Sequence, residues 1–129
     1  MSGRYDRARE EFGKGALSWT KQRIVAQLLS REYVFSAAHT DRRDLRGLIG
    51  NALELTHLQI PNGWARCANL VFREVRGQAP VVAIVFRREA PEEKDKTLIA
   101  YIDQVSGFPM MPNGGDILVD TPDPGFFRI

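Results

Sequence analysis

Past residue 15 the apolar side chains recur at every second position, and clusters of Gly, Pro and Asn cut the pattern at intervals of roughly 8 to 12 residues. A period of two puts alternate side chains on opposite faces of an extended strand. Short strands broken so regularly by tight turns can bury a face in few ways, and the compact solutions are sandwiches and barrels. Ile24, Ala26 and Leu28 define one face of a half-buried strand, and Tyr33-Val34-Phe35 is a second extended stretch. Alternation resumes from Leu53 to Ile60 and stops at Pro61-Asn62-Gly63, where proline fixes φ and glycine permits its positive range. Trp64 to Val75 predicts one or two strands, with Leu70 and Phe72 opposed to Val71. Val81 to Phe86 is apolar on both faces, so it is expected at the centre of its layer with cover on each side. Leu98, Ala100 and Ile102 share a face of the next strand, Ile117-Leu118-Val119 is a short one, and Phe126 to Ile129 closes the chain. Seven or eight strands are expected in all.

Two stretches depart from this period. Tyr5, Ala8 and Phe12 lie at helical spacing before Gly13 and Gly15, which predicts one short helix. Arg4 and Arg7 near its start and Glu10 and Glu11 near its end oppose the helix dipole, so the helix needs something packed on it. Between Thr40 and Ile49, Asp41 and Asp44 are placed to cap, and Leu45, Leu48 and Ile49 are spaced as on a short internal helix or turn. A chain of 129 residues has room for one core. The expected fold is mainly β, an antiparallel β-sandwich of jelly-roll type with a short N-terminal helix and one short internal helix. Its parts are an N-terminal helical arm, residues 1–15, and a sandwich, residues 16–129.

Chemistry is sparse. Cys67 has no second cysteine to pair with, and His39 and His57 are badly spaced for a zinc site, so no metal and no cofactor are expected. Its place inside an apolar-patterned strand makes Cys67 a buried thiol. Ser36, His39, Asp41 and Asp44 hold the residue types of a catalytic set, yet such a set is defined by geometry, and capping explains the aspartates. Pro112-Asn113-Gly114-Gly115-Asp116 precedes a strand instead of a helix and lacks the Lys-Ser/Thr of a phosphate loop, so it reads as a tight turn. No apolar run approaches the roughly 18 residues of a membrane span, and no basic start followed by an apolar core suggests a secretory leader.

Charge is uneven. Residues 1–46 hold ten Lys/Arg against six Asp/Glu, and residues 47–129 eight against ten. Fourteen of the 18 basic side chains are arginine, but acids dilute them, so direct nucleic-acid binding is not expected. Arginine also serves protein interfaces. The candidate partner-binding residues are therefore Arg4, Arg7, Arg9 and Lys14 as charges, with Tyr5 and Phe12 as anchors, and Phe126 and Phe127 give the other end of the chain apolar anchors of its own.

The order of motifs carries a resemblance. Leu98-Ile99-Ala100-Tyr101-Ile102-Asp103, Gly107-Phe108-Pro109, Asn113-Gly114-Gly115-Asp116-Ile117 and Phe127-Arg128-Ile129 follow one another as in a family of small tailed-bacteriophage virion proteins. The opening is similar too, with the Tyr5/Ala8/Phe12 helix, then Gly15-Ala16-Leu17-Ser18-Trp19, Ile24 to Leu29 and Tyr33-Val34-Phe35. This chain departs from the family in its arginine content and in Asp120-Thr121-Pro122-Asp123-Pro124, which leaves the docking surface open. The resemblance implies no catalytic residues. It implies a non-enzymatic structural protein of the virion, assembled in the host cytoplasm, with a capsid decoration (cement) role first. Its partners would be the major capsid protein or other virion subunits and copies of itself, with no membrane. A neck, tail or tail-fibre-associated protein is the alternative, and a carbohydrate-binding module using Trp19 or Trp64 is a second.

Overall fold

Three strands apolar on both faces form the middle of the fold: β2 (Ile24–Leu29), β6 (Ala83–Arg88) and β7 (Leu98–Ile102). Every residue of β2 and β7 is buried, so β2 is covered on both sides and is not the half-buried strand its sequence suggests. The structure, a computed structural model, describes residues 2–129; Met1 of the expected arm lies outside the described residues. With β1 (Ser2–Arg4) and β3 (Leu48–Glu54) at the edges, the strands make one antiparallel sheet in the order β1-β7-β6-β2-β3. The strand expected at Val81 to Phe86 is thus central, beginning at Ala83. Two antiparallel ribbons complete the β structure: β4 (Trp64–Ala65) with β9 (Phe127–Arg128), and β5 (Leu70–Phe72) with β8 (Ile117–Val119).

Register assigns each face its own aromatic cluster. Gly3, Tyr101, Val85 and Gln27 are paired in turn across β1, β7, β6 and β2 and share one face. There the Phe35 ring stacks on Tyr101 at 5.2 Å and meets Tyr5 edge-on at 5.1 Å. Phe35 lies so close over Gly3 that a Cβ there would stand 2.4 Å from the ring. Arg4, Ala100, Phe86 and Ala26 share the opposite face, where Trp19 and Phe126 pack on Phe86 at 5.8 and 4.9 Å. The molecule is therefore mainly antiparallel strands in a sandwich-like arrangement with one α-helix among the described residues.

That helix, α1 (Asp6–Gly13), ends at the expected glycine and packs on β7, with Ala8 buried. The residues around it are not an arm apart from a sandwich of residues 16–129. β1 is hydrogen-bonded into the sheet, Tyr5 donates its backbone N–H to Ile99 at 3.3 Å, and Tyr5 and Ala8 belong to the same apolar core as β2, β6 and β7. The expected internal helix is a single 3-10 turn, Arg42–Asp44, closed by a capping box in which Asp41 accepts from the Arg43 N–H and Asp44 from the Asp41 N–H. Strand β3 starts directly after it at Leu48, five residues before the alternation suggested, and its outer part is irregular at Gly50, which has φ +69°. Tyr33-Val34-Phe35 belongs to no described strand.

Candidate functional site

β1 and the C-terminal ribbon approach each other at one edge of the sheet. Register sets Arg4 opposite Ala100, on the Phe86 face, and its guanidinium donates to the carbonyl of Arg128. One turn into α1, the helical period brings Arg9 and Phe12 to the same side. Arg4, Arg9 and Phe12 thereby border a groove of about 370 Å³ whose apolar wall continues through Ile99, Phe127 and Ile129. Arg9 is exposed and has no ion pair among the described residues, so the rim is cationic above a largely apolar floor. Such a groove suits an apolar side chain standing next to a carboxylate.

The other three contact residues expected in the N-terminal segment lie elsewhere. Tyr5 is fully buried, so it anchors the chain's own interior and is not available to a partner. Its hydroxyl is 2.8 Å from that of Tyr33, and burial followed by that hydrogen bond pushes its phenol far above the ordinary value. Arg7 is half-buried, paired with Glu11 at 3.1 Å and donating to the Lys94 carbonyl at 2.8 Å. Lys14 pairs with Glu10 at 3.0 Å in solvent. Ile99 and Ile129 are not among the contact residues expected from the sequence, whereas Phe127 is one of the expected C-terminal anchors. Ile99 sits in a strand that reads as pure core, and for Ile129 the only signal was its place just after the Phe126-Phe127 anchor.

The Ser36, His39, Asp41 and Asp44 cluster disperses into local structure. Ser36 Oγ accepts from the Ala38 N–H, while His39 Nδ1 lies 2.7 Å from the Tyr33 hydroxyl. Asp41 is bound by Arg43, which holds its carboxyl below the usual range, and backbone donation from Thr40 does the same for Asp44. His57 does not face the apolar side of a strand; it is exposed, with φ +56°. Cys67 is buried, and burial pushes its thiol up to about 11, far from a nucleophile's range. In the Asn113 turn, Gly114 has φ +90° and Asn113 Oδ1 accepts from the Gly115 N–H, the chemistry of a tight turn. Asp116 beyond it accepts from the Glu74 N–H and from Arg73. Trp19 is fully buried and donates its indole N–H to the Arg66 carbonyl at 3.0 Å, so it offers no stacking platform; Trp64 is half-buried. No described helix is long and apolar enough to cross a membrane. The chain matches no protein-family model and no curated protein.

Proposed function

We propose that this chain is a non-enzymatic structural protein of a tailed-bacteriophage particle, a capsid decoration (cement) protein that binds the assembled shell through the groove between α1 and the C-terminal strand. The observation that carries this reading is the convergence of Arg4, Arg9 and Phe12 from one end of the chain with Phe127 and Ile129 from the other around one apolar, cation-rimmed groove. Both ends also carry the motifs that resemble the virion family. The partner is a subunit of the major capsid protein presenting an apolar side chain beside a carboxylate. Weak single contacts suffice, because a symmetric shell repeats them many times and a protein that binds only the assembled form stabilises it by mass action. No step of this role requires a cofactor, nucleic acid or a membrane. A jelly-roll connection fits the chain path, which leaves the five-stranded sheet after β3, builds β4 and β5, and returns as β6 between β2 and β7.

Particles depleted of the protein and then incubated with variants test the reading. Arg9→Glu reverses the unpaired rim charge without touching the core, and it should lower occupancy about tenfold, in keeping with the loss of one charged hydrogen bond. Phe12→Ala should act in the same direction. Full occupancy by both variants, with unchanged melting, overturns the docking site. Copies per particle distinguish shell from neck or tail: hundreds for the shell, and about six, twelve or a few dozen for the neck or tail.

A further inference from the structure

The outward face of the β5–β8 ribbon is complementary to itself. Leu70, Phe72, Ile117 and Val119 point into the core, so Val71 and Leu118, directly opposite each other across the ribbon, point out. Leu118 is 67% exposed, a costly placement for leucine on a regular strand. Just past Phe72 and Ile117, Arg73 pairs with Asp116 at 3.0 Å; past Leu70 and Val119, continuing the register sets Asn69, whose side-chain oxygen accepts from the Thr121 N–H, beside Asp120. Val71 also borders two clefts, of about 210 and 260 Å³, that run toward β3; Asn51, Ala52 and Leu53 in the first are uncharged, and the charges at the margin are Arg73, on both clefts, and Glu54, on the second. A neutral, partly apolar centre with charges at its margin is the anatomy of a protein interface.

The register also selects the occupant. A second copy laid face to face about a two-fold axis parallel to the strands sets Leu118 over the partner's Val71, Arg73 over the partner's Asp116, and Asp120 over the partner's Asn69. With the axis turned perpendicular to the strands, Asp120 faces the partner's Asp116 and the like charges repel. We infer that the chain self-associates through this ribbon as an isologous two-fold dimer. The interface shares no residue with the α1 groove and does not rest on the function proposed above.

Sedimentation equilibrium of the full chain from ~1 to ~200 μM tests it, because an apolar centre this small corresponds to dissociation in the micromolar range. Wild type should show a reversible monomer–dimer equilibrium, and Leu118→Asp should be monomeric throughout while melting as wild type does. Arg73→Asp should weaken the dimer about tenfold, and Arg73→Asp combined with Asp116→Arg should restore it, since the exchanged charges still match across the two-fold. A wild type monomeric at ~200 μM, an L118D chain that still dimerises, or a double variant as weak as R73D overturns the proposal.

Discussion

On the Tyr101 face of the sheet, Tyr5, Tyr33 and His39 form a short polar thread, with steps of 2.8 and 2.7 Å. A hydroxyl both donates and accepts, so Tyr33 can serve both neighbours at once. Tyr33→Phe removes that centre and strands the Tyr5 hydroxyl in the core, a loss of about 1–3 kcal/mol. The thermal midpoint should fall by several degrees, and an unchanged midpoint would mean that Tyr5 has found another partner. This residue also shows how far a sequence can be read. The stripe of Tyr5, Ala8 and Phe12 identified the apolar side of the helix correctly. The same spacing arises whether a partner or the chain's own sheet covers that side, so periodicity alone placed Tyr5 on the outside. Cys67 differs because its neighbours in an alternating strand predict burial, and the structure buries it.

At the scale of elements, α1 and β1 are part of the core they were expected to project from. Deleting residues 1–15 removes an edge strand, the buried Tyr5 and Ala8, and the helix lying on β7. Losing one large aromatic from a core costs about 3–5 kcal/mol, a large fraction of a domain's total stability. The truncated chain should be largely unfolded or aggregated at 37 °C by circular dichroism, and a truncation that melts like the full chain would contradict this packing. Turns were the most legible elements, since proline, asparagine and glycine act locally: the breaks at Pro61-Asn62-Gly63 and at Gly114 fall where expected. Strand limits were less so. Leu45, Leu48 and Ile49 fit a helical stripe, but Gly47 adopts positive φ and turns the chain into β3 instead. Phe35 alternates with Tyr33 as a strand would, yet its ring is used to cover Gly3 and Tyr101.

For the whole molecule, the acidic limit of stability follows from the carboxylates that the fold binds most firmly. Arg43 lowers Asp41, the Thr40 N–H lowers Asp44, and the Glu74 N–H lowers Asp116. A carboxyl whose native value is depressed stabilises the fold fully above its unfolded value, about 3.9 for aspartate, and loses that contribution as the pH falls through the native value. Urea midpoints should therefore hold steady from pH 7 to about 4 and decline below it. Asp44→Asn should start lower at pH 7 and decline less steeply, and a wild-type midpoint equal at pH 7 and 2.5 would contradict the assignment. The general architecture was legible because alternation broken by frequent turns calls for stacked antiparallel strands and because Val81 to Phe86, apolar on both faces, can only be central; the full burial of β2, which reads as half-buried, was not. The groove was not, because its two halves lie more than a hundred residues apart and meet only through the pairing of β1 with β7 and of β4 with β9.

The buried Gln27 side chain donates to the carbonyls of Ile49 and Gly50 at 3.0 and 3.1 Å, just where β3 loses its regular register against β2. A straight, uncharged border strand is a template on which further chains add without limit. By pinning a kink into that border, one amide group interrupts the regular run of backbone donors and acceptors along β3, which makes this edge a poor template for a further strand.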